Sequence, residues 1–290
     1  KPSIIAVGVG GCGIYGTSDN GNNWIGSLTG PFISGSYNIM WNGSLWVAVG
    51  SGGNTIASSP DGLTWTGRDY TVFTSNGRGI AFANNLLVAV GYSGGSGNVI
   101  AISSNGIVWN GRNTDLFTYG GFGVAYGNGM WIATGSGGNT IARSSDGINW
   151  TSQSANGSIG TSVLSVSYAN GLWVATGSSG SRISKSSDGI AWGTCNVTDG
   201  FTVAGRGIAY GNGKWIAVGE GGKSIVTSSD NGVTWSGQTS NGGVTTGYGV
   251  AYGLDNLGAG LWVAVGYGSN TIATSSDNGV TWVGQTANGG

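Results

Sequence analysis

The sequence predicts an all-β protein built from repeats, and three observations support this class. A motif that ends in tryptophan recurs seven times, a strand-like motif recurs in step with it, and 62 of the 290 residues are glycine. Apolar residues nowhere follow the spacing of an amphipathic helix, and so much glycine disfavours helices. We therefore expect short strands joined by tight turns along the whole chain.

The tryptophan motif defines the repeats. It reads SSDNGVTW at Ser228–Trp235 and again at Ser275–Trp282. Related motifs end at the other members of the set, which is Trp24, Trp65, Trp109, Trp150, Trp192, Trp235 and Trp282. Successive tryptophans are 41 to 47 residues apart, a period typical of radial and solenoid repeat proteins. We number the repeats 1 to 7 by these tryptophans.

Each repeat predicts four strands, which we name A to D. In repeat 6 they are GIAYGN (A, from Gly207), WIAVG (B, from Trp215), SIVTSS (C, from Ser224) and VTWSG (D, from Val233). The intervening turns are rich in Asn-Gly, Gly-Gly and Asp-Gly, which accept positive φ and close tight hairpins. Each repeat is therefore expected to form a four-stranded antiparallel sheet.

Four antiparallel strands repeated every forty-odd residues fit one blade of a β-propeller, in which radial sheets pack on one another and protect their edges. Small Ala and Gly residues in strands A and B suit a crowded centre, and large aromatic residues fill the space between blades. Seven tryptophan motifs imply seven blades. We expect one propeller domain over residues 1–290.

Strand A occurs only six times. Lys1 leads directly into strand B of repeat 1, and Gly290 follows strand D of repeat 7. An unpaired inner edge favours aggregation. We therefore expect the seventh inner strand to come from outside this sequence, either from a longer chain or from a neighbouring molecule.

The octapeptide resembles the Asp-box, or BNR, pattern S-x-D-x-G-x-T-W of sialidase-like β-propellers. Repeat 6 fills this pattern with Ser228, Asp230, Gly232, Thr234 and Trp235, and the sevenfold recurrence extends the resemblance over the whole chain. A sialidase resemblance implies an arginine triad, a Tyr–Glu nucleophile pair and an Asp acid. The chain departs from this set, because no arginine stands in the F-R-I-P context and the only glutamate is Glu220, in a predicted B–C turn.

The Asp-boxes are predicted to be scaffold. Their acidic residues are Asp19, Asp61, Asp146, Asp188, Asp230 and Asp277, with Asn105 in repeat 3. A carboxylate or amide oxygen can accept backbone N–H bonds across the C–D turn, and the tryptophan is expected to be buried. In an up-and-down sheet the C–D turns share a side with the A–B turns. Ligands of propellers of this resemblance usually meet the opposite side, formed by the D–A and B–C connections.

Composition excludes several classes of partner. Ten Lys/Arg and eleven Asp/Glu residues give a net charge of −1, so we expect no nucleic-acid partner. No apolar run is long enough for membrane insertion. The chain has no histidine, and we expect neither a metal nor a cofactor. Cys12 and Cys195 lie four repeats apart and are predicted to be unpaired.

The chain is predicted not to be an enzyme. A glycoside hydrolase needs two carboxylates that flank the scissile bond. Loop aspartates that could formally serve are Asp69, Asp115, Asp199 and Asp255, but no spacing favours any pair. Hydrolysis is therefore kept only as a minor alternative.

A binding site is sought where the repeats differ. Strand A begins with Tyr37, Arg78, Phe122, Leu164, Arg206 and Tyr248 in repeats 2 to 7, around the expected mouth of a central channel. The D–A loops add Arg68, Asp69, Tyr70, Arg112, Asp115 and Tyr119, while Phe73, Phe117 and Phe201 are interpreted as packing residues. Aromatic faces beside Arg and Asp suit a sugar ring. A plug of the channel is an equally open interpretation of the strand-A residues.

The sequence thus favours a recognition module that binds glycans at an extracellular or virion surface. The alternative is a structural or assembly protein of a fibre, capsid or cell surface, whose partners are proteins, including other parts of a larger assembly. Low charge fits both hypotheses. Exposed aromatic residues should cluster in pockets of a lectin and spread over flat patches of an assembly protein.

Overall fold

A computed structural model describes residues 4–8, 13–19, 21–69, 71–94, 97–112, 115–153, 159–254, 258–285 and 287–288. Backbone only is described for Asp69, Ala287 and Asn288. Within these ranges every regular element is a β-strand, and no residue is helical. The prediction of an all-β chain is confirmed. The part of the chain that the structure describes contains no helix that could cross a membrane.

The strands of the first half follow the predicted A-to-D order. Repeat 1 contains β1 (Ile4–Val7), β2 (Ile14–Thr17) and β3 (Trp24–Gly26). Repeat 2 contains β4 (Phe32–Trp41), β5 (Trp46–Gly53), β6 (Ile56–Ser59) and β7 (Thr66–Asp69). Repeat 3 contains β8 (Asn76–Ala83), β9 (Leu86–Tyr92), β10 (Ile100–Ser103) and β11 (Asn110–Arg112). Repeat 4 contains β12 (Gly120–Gly127), β13 (Met130–Ser136), β14 (Ile141–Ser144) and β15 (Thr151–Gln153).

The second half has the same order. Repeat 5 contains β16 (Val163–Ala169), β17 (Leu172–Gly177), β18 (Ile183–Ser186) and β19 (Gly193–Thr194), and the short strand β20 (Asn196–Thr198) follows it. Repeat 6 contains β21 (Phe201–Gly211), β22 (Lys214–Gly222), β23 (Ile225–Ser228) and β24 (Thr234–Gly237). Repeat 7 contains β25 (Val244–Leu254), β26 (Gly260–Gly268), β27 (Ile272–Ser275) and β28 (Val283–Gln285), followed by β29 (Ala287–Asn288).

Each of repeats 2 to 7 pairs its strands in chain order, as hairpins predict. The order is β12-β13-β14-β15 in repeat 4, and a single pair, Ser51 with Asn76, joins the sheets of repeats 2 and 3. In repeat 1 the order is β1-β2-β3-β29. Among the described residues, no strand pairs with the other edge of β1, the position that strand A occupies in the other repeats.

Contacts divide the chain into two compact units. The first comprises 1–16, 25–154 and 288–290, and the second comprises 17–24 and 155–287. In the first unit the A strands β4, β8 and β12 contact one another in order, and in the second unit β16, β21 and β25 do the same. Each unit therefore places three inner strands side by side.

Glycines allow these inner strands to approach closely. A Cβ on Gly79 would lie 2.7 Å from the carbonyl oxygen of Phe122 in the neighbouring A strand. In the second unit a Cβ on Gly207 would lie 3.0 Å from Cα of Gly249. Small residues are thus required where backbones meet, as the sequence predicted for a crowded centre.

The turns predicted from Asn-Gly pairs have the expected backbone. Asn128 and Gly129 have φ of 48° and 74°, and Asn212 and Gly213 have φ of 46° and 76°. Two successive residues with positive φ form the turn whose twist matches that of the flanking strands. Local sequence therefore determines where strand A ends and strand B begins.

The Asp-box hairpins are held by the predicted hydrogen bonds. In repeat 2, Asp61 Oδ1 accepts bonds from the backbone N–H of Leu63 and Thr64 at 2.9 and 2.8 Å, and Ser59 Oγ donates to it at 2.9 Å. Asn105 Oδ1 accepts the equivalent bonds from Ile107 and Val108 at 2.9 and 3.0 Å. An amide oxygen therefore replaces the carboxylate in repeat 3, which supports the scaffold interpretation.

The tryptophans of the boxes belong to the core. All seven are at most 8% exposed: Trp24, Trp65, Trp109, Trp150, Trp192, Trp235 and Trp282. The phenylalanines of the D–A loops are also buried, with Phe73 at 0%, Phe117 at 2% and Phe201 at 6%. The predicted packing role of these phenylalanines is confirmed.

Linkers cover several outer edges, which the sequence did not predict. Thr29 Oγ1 accepts a bond from Trp65 N–H at 2.8 Å and donates to Trp65 O at 3.2 Å, and Ser240 bonds Trp282 in the same reciprocal way. In repeat 6 the linker forms the strand β20, which runs parallel to β24. The chain that leaves one repeat therefore protects strand D of the next.

Candidate functional site

Six β-bulges contain the predicted strand-A residues, three in each unit. Each A strand of repeats 2 to 7 has a register shift against its B strand, between Ser36 and Asn38 in repeat 2 and between Gly77 and Gly79 in repeat 3. The unpaired residues within the shifts are Tyr37, Arg78, Phe122, Leu164, Arg206 and Tyr248. A bulge redirects its side chain out of the regular alternation of a strand. The predicted strand-A residues are thus the six bulged residues.

In the first unit the bulges assemble a cluster around Arg78. The Cζ atom of Arg78 lies 4.7 Å from the ring centroid of Tyr37 and 5.6 Å from that of Phe122. Its Nε–H donates to Asn76 Oδ1 at 2.8 Å, and the hydroxyls of Tyr37 and Ser51 share a 3.0 Å bond. Cation–π attraction and one hydrogen bond therefore orient the guanidinium. We call the group of Tyr37, Ser51, Asn76, Arg78 and Phe122 the Arg78 cluster.

In the second unit the bulges assemble a different cluster around Arg206. Its Nη2 lies 3.0 Å from Glu220 Oε2, and its Cζ lies 5.2 Å from the ring centroid of Tyr248. Glu220 is part of strand β22 and pairs with Ala204, so its predicted position in a B–C turn was wrong. The strand simply extends further than the short motif WIAVG indicated. Arg206 is therefore neutralised within its own repeat.

A cavity of about 270 Å³ opens beside repeat 3, in the first unit. It is formed by the B–C connection and by the D–A connection that follows, and the polar side chains in its wall are Tyr92, Ser93, Asp115 and Thr118. Its apolar wall includes Val99 and Phe117. Asp115 is exposed, as a group that meets a ligand must be. A pocket on the B–C and D–A side was predicted for a sugar site.

The other predicted loop residues do not join these groups. Arg68 Nε donates to Ser58 Oγ at 2.7 Å, and Arg112 ends strand β11 with its Nη1 3.5 Å from its neighbour's carbonyl oxygen, that of Gly111. Tyr119 is 66% exposed and is absent from the cavity wall. The side chain of Asp69 and the whole of Tyr70 lie outside the described residues.

The carboxylates of the hydrolase alternative are equally scattered along the sequence. Asp199 pairs with Lys223 at 3.6 Å, Asp115 lines the cavity of repeat 3, and Asp255 lies outside the described residues. Among the described residues, no group of three His, Cys, Asp or Glu side chains could hold a metal ion. Cys195 is an unpaired thiol, and burial raises its pKa to about 11, while Cys12 lies outside the described ranges.

The residue that follows the Ala-Val-Gly or Ala-Thr-Gly motif of strand B is a site position that the sequence prediction missed. It is Ser51 in repeat 2, Tyr92 in repeat 3, Glu220 in repeat 6 and Tyr267 in repeat 7. Ser51 bonds Tyr37, Glu220 pairs with Arg206, and Tyr92 lines the cavity. The signal was available, because this position varies among repeats as the strand-A position does.

The carboxylates of the Asp-box aspartates accept hydrogen bonds from groups of their own hairpins. The side chain of Thr17, with the backbone and side chain of Asn23, lowers the pKa of Asp19 to about 2, and backbone N–H groups of Thr64 and Leu63 do the same for Asp61. The hairpins also contact A–B turns, since Asn278 Nδ2 donates to Asn212 O at 3.2 Å. In the second unit the box of repeat 7 therefore lies beside the A–B turn of repeat 6.

Comparisons with known proteins support the fold. No protein-family profile and no curated protein matches the chain. The structure is similar to the GH74 enzyme of Niastella koreensis, with a TM-score of 0.61 and 19% identity over 86% of this chain and 37% of that one. This chain thus spans well under half of that enzyme.

Two further similar structures are of YCF48. YCF48 bound to a D1 peptide gives a TM-score of 0.59 at 21% identity, over 87% of this chain and 81% of that chain. YCF48 from Cyanidioschyzon merolae gives a TM-score of 0.60 at 17% identity, over 90% and 87%. These proteins and the GH74 enzyme are β-propellers. The antiparallel four-stranded repeats of this chain therefore form a β-propeller fold.

Proposed function

We propose that the protein is a non-enzymatic recognition module that binds glycans through the side formed by its B–C and D–A connections. The observation that carries this proposal is the set of six bulges at one register position of the A strands, five of which present an aromatic or arginine side chain and one of which presents Leu164. Bulges near binding sites redirect side chains in this way. An extracellular, virion or cell surface is the location that this function implies.

The chemistry of the Arg78 cluster and of the cavity suits sugars. Hydroxyl groups of Tyr37 and Ser51 can each donate and accept, as sugar hydroxyls do, and Tyr92 and Thr118 add two more in the cavity wall. Aromatic rings offer faces for the apolar side of a pyranose. Binding, rather than hydrolysis, is favoured because the described residues of the cavity wall include one carboxylate, that of Asp115, and not two.

We also propose the finer architecture that the repeats imply, a seven-bladed Asp-box propeller. Its support is the recurrence of the same hydrogen-bonded hairpin and buried tryptophan in all seven repeats. In this architecture β1 is the innermost described strand of its blade, and an A-type strand would pair with its open edge.

A second candidate function is assembly with a protein partner, and one surface favours it. Ile25, Leu28 and Ile33 are 60, 77 and 85% exposed within nine residues of the first unit. Several largely exposed aliphatic side chains in one short segment suit a protein interface. The YCF48 structure with a bound D1 peptide is that of a propeller with a peptide ligand.

Binding to a broad glycan array tests the proposal. We expect specific hits for the native chain and their loss in the double variant Arg78→Ala/Arg206→Ala, which removes both arginine clusters. A Leu28→Ser/Ile33→Ser variant is the matched control, because it alters the aliphatic surface and should keep the hits. Hits that survive in the arginine variant would place the glycan elsewhere. A blank array with folded protein would favour assembly.

A further inference from the structure

The guanidinium of Arg78 is held in place by its neighbours, while its two Nη groups bond to no described residue. Tyr37 and Phe122, which come from the strands on either side of β8, lie close to its guanidinium, and Asn76 accepts a bond from Nε–H. Within the described chain, neither Nη atom makes a hydrogen bond or an ion pair, and neither is a buried unpaired atom. The two Nη groups therefore remain accessible for a ligand.

Arg206 occupies the equivalent bulge in repeat 6 and has a carboxylate partner, which Arg78 lacks. Across from it, Glu220 supplies a carboxylate at 3.0 Å, whereas the equivalent residue in repeat 3 is Tyr92. Conversely, the residue that orients Arg78 is Asn76, and its equivalent in repeat 6 is Ala204. Repeat 3 thus lacks the internal counter-charge of repeat 6 and has an orienting amide that repeat 6 lacks.

We propose that the two Nη groups of Arg78 bind a carboxylate of the ligand in a bidentate pair. This inference rests on the proposed glycan function, and it names the ligand class as an acidic sugar of the uronic acid type. The planar guanidinium matches a carboxylate with two parallel N–H···O bonds. Preorganisation by the two rings and by Asn76 reduces the entropy lost on binding.

The remaining groups of the first unit agree with one carboxylate on a hydroxylated ligand. The hydroxyl pair of Tyr37 and Ser51 belongs to the same cluster and can bond sugar hydroxyls. The carboxylate is therefore assigned to Arg78 and the neutral part of the sugar to the hydroxyl-bearing groups.

Titrations with glucuronate and with glucose test this inference directly, since glucose has a hydroxymethyl group where glucuronate has its carboxylate and is otherwise the same. Binding in the full chain is followed by NMR, from the backbone amide chemical shifts of Gly77 and Gly79, which flank Arg78. We expect saturable shifts with glucuronate and none with glucose. Arg78→Ala should abolish the shifts, and Arg78→Lys, which keeps the charge but not the fork, should weaken binding by about tenfold or more.

Arg182→Ala is the matched control, because this arginine belongs to the second unit and its Nη2 already donates to Thr202 O at 2.6 Å. It should retain glucuronate affinity within about twofold, as expected for a site that does not share contacts with Arg78. Equal responses to glucuronate and glucose, or no response to either, would overturn the inference. In that case neutral hits on the glycan array would still support the proposed function, so the two failures are distinguishable.

A peptide with a free C-terminal carboxylate is the third probe. Tighter binding of this peptide than of glucuronate at Gly77 and Gly79 would overturn the assignment to a sugar. Weaker binding would support it.

Discussion

Asn278 accepts a 3.1 Å hydrogen bond from the indole N–H of Trp262, a side chain with no solvent exposure. The same relationship, at 3.2 Å, joins Asn231 to Trp215 in repeat 6. In repeats 6 and 7 the Asp-box contains an additional Asn before its Gly. In repeat 5, which lacks this residue, the indole N–H of Trp173 is buried without a partner. The extra Asn therefore satisfies a buried donor.

Removal of the Asn278 side chain is expected to destabilise the protein. Asn278→Gly leaves the Trp262 N–H unpaired, which costs about 1–3 kcal/mol, while glycine tolerates the φ of 60° at this position. Chemical denaturation measures the loss. Asn278→Asp keeps an oxygen acceptor and should cost less. Asn128→Gly, another Asn with positive φ, is the control, and an equal loss in this control would contradict the explanation.

Stability is expected to fall in acid between about pH 4 and pH 2. Bonds from the Thr281 side chain and backbone lower the pKa of Asp277 to about 2, and Asp19 and Asp61 have the same value. A carboxyl whose pKa is depressed on folding stabilises the native state above its unfolded value, near 3.9. That contribution is lost as the pH falls through the native pKa. Thermal unfolding midpoints measured at successive pH values check this.

A variant separates the boxes from other acidic groups. Asp61→Asn keeps an acceptor oxygen, as Asn105 does in repeat 3, and removes one titrating group. We expect a shallower loss of stability in acid than in the native chain. A midpoint that does not change between pH 4 and pH 2 in the native chain would show that the boxes do not contribute.

Gly79→Ala should be strongly destabilising. The added methyl would lie 2.7 Å from the backbone oxygen of Phe122, and neither inner strand can move without disturbing its own sheet. Overpacking of this kind costs about 1–3 kcal/mol or more. Gly193→Ala is the control, because nothing lies within 4 Å of its Cβ position. Thermal unfolding of both variants should separate them clearly, and similar midpoints would argue against tight inner strands.

The linker that covers strand D of repeat 2 should contribute to stability. Thr29→Val removes the hydroxyl that both donates to and accepts from the backbone of Trp65 and leaves the shape nearly unchanged. We expect a loss of about 1–2 kcal/mol in chemical denaturation. Faster hydrogen exchange at the Trp65 amide should accompany it. Unchanged protection of that amide would show that the linker does not protect the edge.

A peptide with the sequence of an A strand is expected to stabilise the chain. Ile5 and Val7 of β1 are half-buried, whereas their counterparts Val47 and Val49 in β5 are fully buried beneath a paired A strand. The peptide GRGIAYGNG, copied from residues 205–213, should pair with β1 and raise the unfolding midpoint with its concentration. A peptide with proline in place of alanine should not. Equal effects of both peptides would contradict strand addition.

Local sequence predicted most of the fold. Asn-Gly pairs such as Asn212 and Gly213 adopt positive φ, and the hydrogen bonds of Asp61 join residues at most three positions apart. Both features are local in sequence and could therefore be predicted. The buried tryptophans were predicted for the same reason, since their spacing repeats. The bulge at Arg78 could not be predicted, because a register shift depends on how two strands pair over several residues.

The chemistry of the candidate site was decided by tertiary structure. The sequence by itself determined which positions differ among repeats, including Tyr37, Arg78 and Arg206. Only the packed strands decided that Arg78 meets two aromatic rings from residues about forty positions away, and that Arg206 meets Glu220 instead. The physical reason is that ion pairing and cation–π contact depend on distances between different strands, which neither residue type nor spacing specifies.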